Sequence, residues 1–349
     1  MPARTALVLT SINAPNAAMA ALAGGAAAAG FDLIIVGDAR SPAGFSLAGA
    51  RFISLTAQRE SGFAVARLCP IDHYARKNVG YLAAMRNGAT IIVETDDDNH
   101  PSAGFFGERR RRIVAAVAER AGWLNAYRYF SEATIWPRGL PLDAVHDSVP
   151  PFETLSRTTI DCPIQQGLAD LDPDVDAIYR LLLPLPQTFR ADRRVGLGSG
   201  AWCPFNSQNT TWWSDAFPLL YLPAHCSIRM TDIWRSFVAQ RIAWENGWHV
   251  LFHEPTVRQE RNAHDLMLDF AAEVPGYLHN RRIQQALDGL ALAPGSARMA
   301  DNLRRCYEAL VGLGVVGRDE LPLLEAWLLD LSALAPAAAP SGGDPARCD

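Results

Sequence analysis

The first hundred residues alternate between short, continuously apolar runs and helical patterns, and this alternation restricts the chain to few folds. "TALVLTS" (5–11) reads as a buried strand, and the Ala-rich stretch 17–30 as a helix stopped by glycine. "DLIIVGD" (32–38) and "RFISL" (51–55) read as two more strands. "ARKNVGYLAAMRNGA" (75–89) has helical spacing at Val79, Leu82, Ala83 and Met85, closes on Asn87-Gly88, and is followed by the strand "TIIVE". Apolar strands separated by helices predict a parallel sheet covered on both faces. Ligands of such sheets sit beyond the carboxyl ends of the strands, near the point where strand order reverses. Ser11, Asp38 and Asp96–Asp98 all fall at those ends, which predicts a nucleotide-sized site on one rim.

The remainder is less regular. Residues 123–215 are rich in Pro, Gly and aromatics, the composition of irregular structure in which a substrate-specific subdomain often lies. A helix is predicted over 232–247, with Asp232 near its start and Asn246-Gly247 as its stop. The strand "WHVLFHEP" (248–255) follows, then helical patterning over 265–334 and an Ala/Pro/Gly-rich tail, 335–349, that reads as disordered.

Composition narrows the class. A chain of 349 residues, 49% hydrophobic, can bury a full core as one large domain or two closely joined ones. No apolar run reaches the ~20 residues of a membrane span, and no signal-peptide pattern precedes "TALVLTS". A net charge of −5 weighs against a nucleic-acid partner. The six cysteines are scattered without a C-x-x-C pair, which fits reduced thiols better than a disulfide framework or a zinc site. These features predict a cytoplasmic protein.

The run "ATIIVETDDDNHP" (89–101) groups four acids behind a strand, although like charges repel. Asp96 and Asp98, two apart, can point to one side of an extended or turning segment. Two carboxylates on a loop suit a hard divalent cation, Mg²⁺ or Mn²⁺, that keeps waters and also binds phosphate oxygens. The alternative is a solvated loop capping the next element.

Longer phrases carry a resemblance. "ARKNVGYLAAMRNGATIIVETDDDN" is similar to the donor-site run of GT-A-fold glycosyltransferases, whose D-x-D acids hold a metal on a nucleotide sugar. "RMTDIWRSFVAQRIAWENGWHVLFHEP" resembles the acceptor-side helix of inverting GT-A enzymes, in which the leading acid is the general base. "WPRGLPL", "PIQQGLADLDPDVDAIYRL", "PFNSQNT" and "TDIWRSFVAQR" resemble the plant STELLO glycosyltransferase-like domain. Parts also resemble UDP-arabinopyranose mutases, the reversibly glycosylated polypeptides, which share the triple Asp and "DPDVDAIYRL". The likeness covers roughly residues 5–280. It implies an α/β GT-A fold, with a mostly parallel central sheet flanked by helices and a helical region at the C-terminus. Together with the patterning above, it divides the chain into a GT-A domain, 1–264 (donor half 1–122, acceptor half 123–264), a helical extension, 265–334, and the tail, 335–349. It also implies a nucleotide-diphosphate sugar donor, UDP-linked, a divalent metal, and a glycan or lipid-linked acceptor. The STELLO proteins carry an anchor before this domain. The expectation here is a protein without a transmembrane segment, cytoplasmic or peripheral to an inner membrane, possible as a homodimer.

Within this reading Asp98 is the direct metal ligand, and Asp96 contacts the metal, its water or the ribose. His253 and His264 are third-ligand candidates. Ser11, Asn13 and Asp38 are candidates for base or ribose contacts, Asp38 equally a turn residue. Lys77 and Asn78 precede a helix where a diphosphate can sit. Asn206, Gln208 and Asn209 suit sugar hydroxyls or loop scaffolding, and Arg235 suits a phosphate or an ion pair. Asp232 is the expected general base of an inverting transfer, with helix N-capping as its bland alternative. Arg138, in "WPRGLPL", resembles the Arg that the mutases glycosylate. An autoglycosylating mutase-like enzyme is therefore the runner-up, and a non-catalytic nucleotide-sugar-binding assembly protein a third reading.

Overall fold

The computed structural model describes residues 3–262 and 265–334. Its strands are β1 (Thr5–Thr10), β2 (Asp32–Val36), β3 (Ala50–Ile53), β4 (Ile91–Thr95), β5 (Asn99–Pro101), β6 (Arg112–Ala118), β7 (Gly122–Trp123), β8 (Ser156–Asp161), β9 (Ile164–Asp170), β10 (Arg194–Leu197), β11 (Ala201–Trp202), β12 (Asn209–Trp213) and β13 (Val250–Gln259). The helices are α1 (Ala17–Ala29), α2 (Leu55–Glu60), α3 (Ala64–Leu68), α4 (Lys77–Arg86), α5 (Ala177–Leu182), α6 (Thr231–Glu245), α7 (Leu266–Asp288), α8 (Met299–Gly312) and α9 (Glu320–Leu334).

The main sheet runs β3-β2-β1-β4-β12-β9-β13-β10-β6-β8, with β5 added to β13. Its first four strands are parallel, as the alternating N-terminal pattern predicts. β12 enters antiparallel between β4 and β9, β9 pairs parallel with β13, and β10 pairs parallel with β6. Helices cover both faces. Along β1, Ala6 and Val8 pack into the core shared with α4, while Leu7 and Leu9 pack with Met19 and Leu22 of α1. A strand buried on both sides must read as an unbroken apolar run, and "TALVLT" does. The architecture is the mixed α/β sandwich expected, consistent with a GT-A-like fold.

The C-terminal helices pack on the sheet domain, with α9 against α3 and α4, and α8 against α6. Two acids fasten α9. Asp330 accepts the amides of Ala64 and Val65 at 2.8 and 2.9 Å, supplying the cap that α3 lacks in its own sequence. Glu320 accepts the amides of Ala224 and His225 at 2.9 and 2.7 Å. The tail, 335–349, lies outside the described residues.

Candidate active site

β1, β2 and β4 run parallel in register, Val8 opposite Glu94 and Thr10 opposite Val36, so their carboxyl ends share one rim. Beyond that rim opens a cleft of about 690 Å³. Ser11, Asn13, Asp38, Asp96, Asp98, Arg138, Gln208 and Asp232, all singled out in the sequence, line it.

The acidic run divides at the strand end. Glu94, still on β4, turns into the core, where it meets Arg235 Nη1 at 3.0 Å, Trp212 Nε1 at 2.6 Å and the Tyr81 hydroxyl. Asp97 ties the rim together by accepting from Ser11 Oγ at 2.5 Å and Asn13 Nδ2 at 3.0 Å. Asp98 accepts from Gln259 Nε2 at 3.0 Å and from the Asn262 amide and side chain at 3.3 Å. Burial raises its carboxyl above the ordinary value, and the Gln259 bond offsets part of that. Asp96 accepts from the Tyr74 hydroxyl at 3.2 Å and lies 3.4 Å from Lys77 Nζ. Burial pushes Asp96 up to about 7; Lys77 opposes the rise, and Asp98, Asp97 and Asp232 add to it. A carboxylate lifted first by burial and then by its acidic neighbours is one that a cation would relieve.

Asp98 and Asp96 fit a hard cation in donor type: oxygen ligands from one or two carboxylates, with other positions left for water and phosphate. Among the described residues no cluster of three or more His, Cys, Asp or Glu could hold a metal. His253 sits in β13 with Nδ1 3.0 Å from the Glu254 carbonyl and its ring near Gly167, and it does not line the cleft. Burial lowers its imidazole to about 4. His264 lies outside the described residues.

On the opposite wall Asp232 stands in the first turn of α6, which has no side-chain cap bond, so its N-capping alternative falls away. Its oxygens meet Arg138 fork to fork, Nη1 to Oδ1 at 3.1 Å and Nη2 to Oδ2 at 3.0 Å. Arg138 also grips Asp174 through Nε and Nη2, both at 2.8 Å, and Nη1 meets the Arg229 carbonyl. All five guanidinium N–H groups are thereby engaged. Burial opposes the ionised form of Asp174, but Arg138 outweighs it and holds the carboxyl at about 2. Gly139 makes this approach possible: its φ is 90°, and a Cβ there would lie 2.4 Å from the Ile233 side chain of α6. The Ser207 backbone N–H donates to Asp232 Oδ2 at 3.3 Å, and the Ser207 hydroxyl lies 2.5 Å from that of Tyr74. Tyr74 and Ser207 thus join the acids of the rim to Asp232.

Several predicted contacts are scaffolding instead. Lys77 Nζ is buried beneath the floor, bonded to the carbonyls of Thr95 at 2.9 Å and Ser207 at 3.1 Å. Asn78 exchanges two 2.9 Å bonds with Leu222. Asn206 braces Gln208 N at 3.0 Å, Asn209 holds the Leu168 carbonyl at 3.0 Å, and Arg235 neutralises Glu94. None of these five lines the cleft, because each satisfies a buried polar group behind it. Asp38 accepts from the Ala39 and His73 amides at 2.8 and 3.0 Å, the turn role left open for it. Trp136, Trp202 and Trp212 are core residues.

Sequence reasoning missed Asp174, Arg180, Arg229 and Arg261, which also line the cleft. Arg261 is pushed down to about 10 by burial and by Arg180 and Arg229, so these cations crowd together. Asp174 and Arg180 both lie in "DPDVDAIYRL", a phrase that signalled family likeness without assigning roles.

Comparison with known proteins yields consistent matches. Residues 229–338 match the family model described as STELLO glycosyltransferases. Two Arabidopsis thaliana proteins are similar: probable glycosyltransferase STELLO2, 33% identical over 255 residues, and probable glycosyltransferase STELLO1, 32% identical over 253. Each alignment covers 66% of this chain and 32% of the relative, so the chain spans about a third of the length of the curated relatives it matches. A solved mycobacterial protein aligns over 80% of this chain and 75% of its own at 11% identity, TM-score 0.42.

Proposed function

From the STELLO-type match at residues 229–338 and the two Arabidopsis relatives, we propose that this chain is a glycosyltransferase. It takes a sugar from a nucleotide diphosphate donor, UDP-linked, and passes it to a hydroxyl acceptor with inversion. The supporting observation is that Asp96 and Asp98 from one rim and Asp232 from the other wall line a single cleft. Asp98 and Asp96 would hold Mn²⁺ or Mg²⁺. When bound, such an ion supplies positive charge to a diphosphate leaving group.

The chain's own residues account for the proton. Among the described residues Asp232 Oδ1 accepts only from Arg138, whereas Oδ2 also takes Ser207, so Oδ1 keeps a lone pair for an acceptor hydroxyl. Arg138 and Ser207 hold that carboxylate on the cleft wall, where Oδ1 would take the acceptor's proton as the hydroxyl attacks the sugar carbon. The autoglycosylating alternative fits less well. A guanidinium must shed a proton to act as a nucleophile, and Asp174 and Asp232 hold Arg138 protonated, well above its ordinary value despite burial. Calorimetry with UDP and Mn²⁺ tests the reading: equal UDP affinity in EDTA would remove the metal, and a retained product configuration would remove Asp232.

A further inference from the structure

α7 reaches each of the three segments that carry Arg138, Asp174 and Asp232, and it does so through two buried polar side chains, Glu273 and Asn280. They stand seven residues apart, nearly two full turns, so they project from one face of the helix. Glu273 engages both of its oxygens. Oε1 accepts from Arg229 Nε at 3.0 Å and Nη2 at 2.7 Å, while Oε2 accepts from the Ala177 amide and the Tyr277 hydroxyl, each at 2.7 Å. Asn280 Nδ2 donates to the Gly139 carbonyl at 2.7 Å, and its Oδ1 accepts from Trp234 Nε1 at 2.8 Å. A carbonyl needs a donor and an indole N–H an acceptor, so only this orientation of the amide satisfies both neighbours.

Each contact falls beside a member of the charged group. Arg229 precedes Asp232 by three residues, and its carbonyl receives Arg138 Nη1; Trp234 follows Asp232 by two. Gly139 is next to Arg138, and Ala177 lies three residues after Asp174. Gly276, between the two polar positions of α7, lets the 228–230 turn sit directly on the helix, since a Cβ there would collide with Met230 Sδ. Arg138 and Asp174 lie on irregular backbone, so no helix or strand ladder of their own sets their spacing. Hydrogen bonds weaken steeply as distance and angle depart from ideal, and the fork between Arg138 and Asp232 needs two at once. We propose that Glu273 and Asn280 are positioning residues of the cleft: from α7 they clamp the three segments at the spacing that keeps Asp232 forked to Arg138 and aligned for an acceptor hydroxyl. The alignment of an acceptor rests on the glycosyl-transfer reading; the clamp does not.

The test is hydrogen exchange at the Arg138 guanidinium, followed by NMR of the full chain, with its signal assigned by its loss in Arg138→Lys. Wild type and the control Asp330→Ala, which loses the α9 clasp instead, should exchange slowly and alike. Glu273→Gln puts an amide donor where Arg229 or Ala177 needs an acceptor, and Asn280→Leu removes both bonds at similar volume. Each should quicken that exchange about tenfold or more. UDP affinity measured with Mn²⁺ should be equal in all of them, while turnover in the two α7 variants should fall by about tenfold to a hundredfold. Glu273→Gln, the milder change, decides the matter if Asn280→Leu does not fold. Unchanged exchange in the α7 variants overturns the clamp. So does equal quickening in Asp330→Ala, since a general loosening then accounts for it. Quickened exchange with turnover intact keeps the clamp and instead removes Asp232 from the chemistry, so the two readings fail separately.

Discussion

Arg138 and Asp232, 94 residues apart, form a two-pronged ion pair at 3.0–3.1 Å on the wall of the cleft, and Asp174 holds the same guanidinium from its other edge. One cation shared by two acids keeps Asp232 in a single orientation with one lone pair unspent.

The first expectation concerns that lone pair. Asp232→Asn should cut turnover by ~10²–10⁴-fold, the usual worth of a general base, with UDP affinity nearly unchanged. Steady-state kinetics beside calorimetry separates the two quantities. A fully active variant would exclude Asp232 from proton transfer.

Arg138 should matter for stability as well as rate. Arg138→Ala removes the hydrogen-bonded cation from buried Asp232 and from Asp174, which keeps only the more distant Arg229 and Arg180, a change that typically costs about 3–5 kcal/mol. Urea unfolding would measure it. A loss below ~1 kcal/mol would mean the acids rearrange or protonate at little cost.

Metal dependence should follow Asp98. With Asp98→Ala, UDP should bind equally with Mn²⁺ and with EDTA, while Asp97→Ala should keep the metal effect, since Asp97 bonds Ser11 and Asn13 instead.

The pH dependence has a definite sign. Asp96 is raised to about 7 in the fold, so it holds its proton through the acidic range and must release it to bind a cation. Metal-dependent UDP affinity should therefore rise as pH increases through 7 and level off above it. Without metal the same shift lowers folding stability as pH climbs from 3.8 toward 7, because the folded state holds the proton more tightly than the unfolded one. Affinity that is flat from pH 6 to 8 would remove Asp96 from the cation site.

The α9 clasp gives the last expectation. Asp330→Ala strips the amides of Ala64 and Val65 of their acceptor, at a cost of about 1–2 kcal/mol. Hydrogen exchange should quicken at those two amides ahead of the sheet; unchanged protection would show that α3 holds without the cap.

The rim beyond β1, β2 and β4 was legible in the chain itself. Apolar runs and helical spacing are local properties, so β1, β2, β4, α1 and α4 could be read from them, and parallel pairing then carries their polar ends to one side. The start of α6 at Thr231, with Asp232 in its first turn, was legible for the same reason. Tertiary structure decided how the charges were spent. Nothing local distinguishes Glu94, which the pleat of β4 turns inward to Arg235, from Asp96, one residue past the strand on the cleft. Lys77, Asn78, Asn206 and Asn209 have the chemistry of ligand contacts, yet each is consumed by a buried carbonyl or amide. Arg138 finds its partners 36 and 94 residues away, Asp174 on a loop and Asp232 in the first turn of α6, which only the tertiary packing brings together. A buried charge takes whichever opposite charge the packing brings within reach, and no spacing along the chain encodes that choice.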